Sequence, residues 1–71
     1  MSDHMTFIDA NVYLRQLGVL YLTYPELVRD EASKLDPHEL RTVAAEASLA
    51  LLRTGELRSV TQIESELSSQ Q

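Results

Sequence analysis

The strongest constraint on this chain is one helix that is marked at both ends. Asp36-Pro37-His38-Glu39 opens it and Arg53-Thr54-Gly55 closes it. Asp36 has N-cap chemistry, because its carboxylate can accept hydrogen bonds from the free N–H groups of the first turn. Pro37 falls at the first helical position, where a missing N–H costs nothing. Glu39, three residues past the cap, completes a capping-box pattern and sets negative charge at the positive end of the helix dipole. Arg53 brings positive charge to the last turn, and Gly55 can take the left-handed conformation that ends many helices. Ala44, Ala45, Ala47 and Ala50, with several leucines, fill the interior with good helix formers.

The faces of this helix constrain the fold further. Leu40, Val43, Ala44, Ala47, Ala50 and Leu51 recur at three- and four-residue steps and form one apolar stripe. Ala45, Leu49 and Leu52 form a second on another side. Arg41 and Ser48 separate the two along one edge, and Thr42, Glu46 and Arg53 along the other. A helix that buries one side in its own domain needs one stripe, so two stripes require two neighbours. These are either further helices of the same chain or a second chain. The alanine-rich stripe is assigned to the internal core, and the Ala45–Leu49–Leu52 side to a partner.

The rest of the chain reads as three more helices. From Thr6, a cap with Asp9 three residues on, helical spacing carries Ala10, Tyr13, Leu14, Leu17, Tyr21 and Tyr24. Ile8, Val12, Val19 and Leu22 form a second set. Gly18 weakens a helix by about 1 kcal/mol relative to alanine unless close packing against it compensates. Residues 19–24 are rich in strand formers, so a short strand is the alternative there; helix is the expectation. Pro25 breaks the pattern. Thr23 and Glu26 have cap-box spacing for a helix to about Leu35, with Leu27, Val28, Ala32 and Leu35 on its apolar side. After Gly55, Leu57 is expected to fold back on the helix end. Ser59 or Thr61 can cap a last helix, answered by Gln62 or Glu64, with Val60, Ile63 and Leu67 on one face. The expected fold is all-α: a small bundle of three longer helices plus a short C-terminal helix.

Length and charge bound the function. Seventy-one residues make one domain with a core that stabilises it only marginally. There is no Cys, so disulfides and thiolate metal sites are excluded, and only His4 and His38 could offer imidazole. A lone His38 beside Glu39 is expected to be solvent-exposed. Tight self-packing or association remains as the source of stability. A net charge of −5 disfavours phosphate backbones, and the arginines are scattered. No run is long enough to span a membrane and no signal peptide is visible, so the expected location is cytoplasmic. Residues 1–5 read as a vector-derived start, 6–67 as the domain, and 68–71 as a polar tail that frays.

Two partial resemblances arise from short stretches. Phe7-Ile8-Asp9-Ala10-Asn11-Val12 resembles the first strand of PIN-domain ribonucleases, and residues 55–61 followed by Glu64 are similar to the segment that brings a second acid there. That resemblance implies a metal-dependent nuclease with Asp9 and Glu64 as metal-binding acids on a central sheet. The chain is about half the length that fold needs, and the other acids are not identifiable. Leu51-Leu52-Arg53-Thr54-Gly55-Glu56-Leu57, then Val60-Thr61-Gln62-Ile63 and Leu67-Ser68, resembles the approach to the helix-turn-helix of winged-helix regulators. The chain stops where a recognition helix would begin.

The residues favour a small acidic helical interaction module over either enzyme or DNA reader: a regulator, adaptor or chaperone-like protein that dimerises or docks a helical partner. Its expected contact residues are Leu49, Leu52, Ala45, Val12, Val19 and Leu22. No catalytic group, metal, cofactor or small-molecule substrate is indicated. Tyr13, Tyr21 and Tyr24 are expected to pack in the core with their hydroxyls at its rim.

Overall fold

In the computed structural model the elements run α1 (Phe7–Leu20), α2 (Pro25–Ala32), α3 (Pro37–Arg53) and α4 (Val60–Ser68). The structure describes residues 7–68, with side chains described from Asn11 onward. The expectations placed on residues 1–5, on Thr6 and on residues 69–71 lie outside the described residues, as do the side chains of Ile8, Asp9 and Ala10. All described regular structure is α-helical. Two helices are long, α3 with 17 residues and α1 with 14, and two are short, α2 with 8 and α4 with 9. The expected third long helix is therefore a short one.

Local chemistry explains each boundary. Asp36 adopts extended backbone, its carboxylate accepts from the Glu39 N–H at 2.8 Å, and Glu39 accepts from the Asp36 N–H at 3.1 Å. Pro37 disfavours helical backbone at the residue before it, so α2 must end earlier. It stops at Ala32, and Ser33 closes its end by donating to the Asp30 carbonyl. Thr54 caps the far end of α3. The Gly55 N–H reaches the Leu52 carbonyl and the Glu56 N–H reaches the Leu51 carbonyl, the paired bonds of a Schellman ending. Gly55 supplies the required positive φ of 93°. Ser59 and Gln62 cap α4 reciprocally at 3.1 and 2.9 Å. At α2, in contrast, Tyr24 is the N-cap residue and gives no side-chain bond, so the expected Thr23 cap does not form. Asp36→Ala removes the best-formed cap and should cost about 1 kcal/mol. Thermal melting should fall by about 4–8 °C in a domain of this size; an unchanged midpoint would show that the first turn of α3 is held by packing alone.

The core forms around α3. All six residues of its alanine-rich stripe are buried, as expected. α1 packs on one flank of this stripe, α4 on the other, and α2 bridges α1 and α4. α4 runs back along α3, as Ser48 bonding to the Arg58 carbonyl and Arg41 pairing with Glu64 require. Leu14, Leu17 and Tyr21 enter the core from α1 and the turn after it, Val28 and Ala32 from α2, and Ile63 and Leu67 from α4.

Gly18 is where α1 and α3 come closest. A Cβ there would lie 2.6 Å from the Glu46 Cβ and 2.9 Å from both the Ala47 nitrogen and the Val43 carbonyl oxygen. The close approach that the small residues of α3 allow therefore has its counterpart in α1.

Four further expectations need correction. α1 ends at Leu20, and residues 21–23 form a turn. The Tyr21 N–H still bonds to the Leu17 carbonyl and the Tyr24 N–H to the Leu20 carbonyl, so helical spacing outlasts the helix. Leu27 lies exposed, because α2 is too short to bury a second column of side chains. Leu57 does not fold back: it is 84% exposed, since the Schellman bonds turn the chain away after Gly55. Of the three tyrosines only Tyr21 is buried, whereas Tyr13 and Tyr24 are exposed.

Candidate interaction surface

The second stripe of α3 stays uncovered. Leu49 is 44% and Leu52 53% exposed, and Ala45 beside them is exposed as well. On α1 the outward positions Val12, Gln16, Val19 and Leu20 fall at helical steps of four, seven and eight residues. Val12 is 45% and Val19 49% exposed. These α1 residues line a shallow groove whose far wall is Glu46 of α3, and Arg15 spans the rim to the Glu46 carboxylate at 3.6 Å. Leu49 stands one helical turn beyond Glu46 and so borders the α1 groove, while Leu52 and Ala45 lie further round α3.

Five of the six expected contact residues are exposed side chains of α1 or α3. Leu22 differs, for it lies in the turn after α1 and packs partly buried against the core. Leu20 and Gln16, which also line the groove, were not among the expected residues. Their signal was present in the four-residue steps Val12–Gln16–Leu20, but a helix assumed to continue to Tyr24 drew the stripe toward Leu22 instead. A smaller exposed apolar group, Tyr24 with Leu27, lies at the turn into α2.

A polar cluster on the opposite side ties the helices together. The Tyr21 hydroxyl donates to the Glu66 carboxylate of α4. Arg29 of α2 donates to the same carboxylate at 3.1 Å, and Arg58, from the loop before α4, at 3.3 Å. Arg58 also donates to the Tyr21 oxygen at 2.8 Å, lies 5.9 Å from its ring centre, and pairs with Glu56 at 2.6 Å. The Tyr21 bond, followed by Arg29 and Arg58, holds the Glu66 carboxyl below the usual carboxylate range, against partial desolvation. Burial, then the bond to Glu66, pushes the Tyr21 phenol up. Its bond to Glu31 raises Tyr13 likewise. The contribution of Glu66 is therefore complete above the ordinary glutamate value of about 4.3 and is lost as pH falls through its lower folded value. That of Tyr21 is complete below about 10 and is lost as pH rises through its higher folded value. Melting temperature followed against pH should fall on both sides. Glu66→Gln should flatten the acid limb and Tyr21→Phe the alkaline limb; limbs unchanged in these variants would remove the cluster from the account.

The described residues contain no cluster of three or more His, Asp or Glu side chains placed to hold a metal ion. The stretch similar to a PIN-domain strand begins α1 from Phe7, and Glu64 is engaged with Arg41, so the described chain does not form the sheet that this resemblance implied. The segment similar to a helix-turn-helix approach is a hairpin of α3 and α4 whose second helix buries Ile63 and Leu67. His38 is exposed, as expected. No described helix is long and apolar enough to cross a membrane. Comparison of the chain with family models, characterised proteins and solved structures finds no match.

Proposed function

We propose that the protein is a small non-enzymatic interaction module, a regulator, adaptor or chaperone-like protein, that works as a dimer or by docking a helical partner on the outer face of α1 and α3. The observation that carries this reading is the contrast between the two stripes of α3. One is wholly buried by the chain itself, whereas the other keeps Leu49 and Leu52 about half exposed, as Val12 and Val19 are on the outer side of α1. Apolar side chains clustered on one face lose contact with water only if something else covers them, and contiguous exposed patches of this kind mark interaction sites. Leucine at these two exposed helix positions gains the fold little, since its burial there is incomplete.

Sedimentation velocity over a range of concentrations tests the dimer. Association is expected to strengthen with concentration and to weaken by about 30-fold or more in Leu49→Glu or Leu52→Glu, the loss of a central anchor worth about 2 kcal/mol. Far-UV circular dichroism should stay unchanged in both variants, and Leu57→Glu should associate as the parent does. A chain that stays monomeric at high micromolar concentration rejects the dimer, and association that survives both changes places the contact elsewhere.

A further inference from the structure

We infer that the occupant of this face is a second copy of the same chain, seated so that each copy inserts its Leu49 into the α1 groove of the other, between Val12 and Val19. The inference rests on the interaction-module reading and adds the partner and the register. Three features of the face favour a copy of the chain as its partner.

The first is shape. A two-fold contact uses the same surface on both molecules, so that surface must carry both a protrusion and its receptacle. The α1/α3 face does so: the groove lies along Val12, Gln16, Val19 and Leu20, and Leu49 stands one turn from the groove wall at Glu46. The receptacle and the protrusion are on adjacent helices, so a two-fold axis between them can satisfy both copies at once.

The second is charge. Eleven acids oppose six bases in this chain, and two such molecules repel each other at most orientations. Their acids are unevenly placed. Glu26, Asp30, Glu31, Asp36 and Glu39 lie on α2 and the start of α3, and Glu56, Glu64 and Glu66 lie on or near α4. On the α1/α3 face Arg15 and Arg53 balance two described acids, Glu46, which Arg15 already holds, and Glu39, which caps the start of α3 on the same side. Contact through this face keeps the acidic sides of both copies turned away; contact through α2 or α4 would bring them together.

The third is extent. Helices of 14 and 17 residues are about 21 and 25 Å long and pack about 8–10 Å apart. With side chains they present a face of roughly 500 Å² in plan, before side-chain relief is counted. Stable contacts start at about 600 Å² of accessible surface from each partner. The plan area lies below that limit, so the face reaches it only through the relief of its side chains and only if nearly all of it is covered, with the leucines well inserted.

The absence of cysteine makes the register directly testable. Val19→Cys and Leu49→Cys replace exposed side chains and leave the core intact. Both changes shorten side chains of the proposed contact, so the two variants, one of them isotopically labelled, are mixed at a concentration where sedimentation shows the reduced pair associated, and are then exposed to a mild oxidant. Within the dimer the effective thiol concentration is millimolar, so the mixed disulfide should form about tenfold or more faster than between Val19→Cys and Leu57→Cys, which meet only by collision. Sedimentation of the reduced proteins separates the possible failures. A dimer whose Val19–Leu49 disulfide forms no faster than the Leu57 control overturns this register and leaves the interaction-module reading standing. A parent chain that stays monomeric at high micromolar concentration overturns the second copy as occupant, and the dimer form of that reading with it.

Discussion

Gly18→Ala should destabilise the protein by about 2–3 kcal/mol, although propensity alone gives the opposite sign. In an ordinary helix alanine is more favourable than glycine by about 1 kcal/mol. Here the added Cβ would meet the Glu46 Cβ at 2.6 Å and two backbone atoms of α3, the Ala47 nitrogen and the Val43 oxygen, at 2.9 Å. A side chain can rotate away from such a contact, but backbone inside a helix cannot. α1 must then lift from α3, which loosens Leu14, Leu17 and the wholly buried Val43, Ala44 and Ala47. Overpacking of a closed core costs about 1–3 kcal/mol and occasionally more, and the absence of a flexible neighbour puts this site at the upper end. The melting temperature should drop by about 10–20 °C. Gly55→Ala is the control: nothing lies within 4 Å of a Cβ there, so only the positive φ opposes alanine, at a cost of about 1–2 kcal/mol. A Gly18→Ala protein more stable than the parent would show that α1 and α3 do not approach so closely.

The same pair of helices shows what could be read from the sequence and what could not. The limits of α3 follow from short-range chemistry: Asp36 with Glu39, Pro37 and Gly55 lie within a few residues of the events they control, and all act as expected. Its buried stripe was also legible, because six small or branched residues at helical spacing admit one core-facing side. The end of α1 was not. Residues 21–24 keep helical hydrogen bonds into the turn, so a period continues where the helix stops, and Leu22 was assigned to a face that the turn removes. Leu27 and Leu57 were misplaced for a related reason. Periodicity shows which side chains share a side, but not whether another element is long enough to cover it. The Tyr21–Glu66–Arg58 cluster joins residues 37 and 45 positions apart, and no local pattern announces such a meeting. For the candidate face, the leucines of α3 were legible as a surplus stripe, while the groove opposite them depends on how α1 lies against α3.

Burial, more than residue type, should decide the cost of truncating an aliphatic side chain here, and Ile63 against Leu49 is the sharpest comparison. Ile63 is fully buried on α4, where it fills the flank of α3 that α1 leaves open. Ile63→Ala removes three carbons from a site with no route for water, and so combines lost transfer energy with a cavity, about 3–4 kcal/mol in all. That is a large share of the stability of a chain this small, and α4 has little else to hold it: Leu67, half-buried Val60, the Glu66 bonds and the Arg41–Glu64 pair at the surface. A melting temperature about 15–25 °C lower is expected. Leu49→Ala removes a similar mass from a position already 44% in water, with no cavity to form, and the monomer should change by less than about 0.5 kcal/mol. In the associated state the order changes. If Leu49 fills its partner's groove, its truncation weakens association while the monomer melts as before, and Ile63→Ala lowers the melting temperature without altering the contact face. Denaturation at two protein concentrations separates these effects, because a dimer contributes stability that grows with concentration and a core does not. A Leu49→Ala protein as unstable as Ile63→Ala at every concentration would place Leu49 in the core, contrary to the exposure of its stripe.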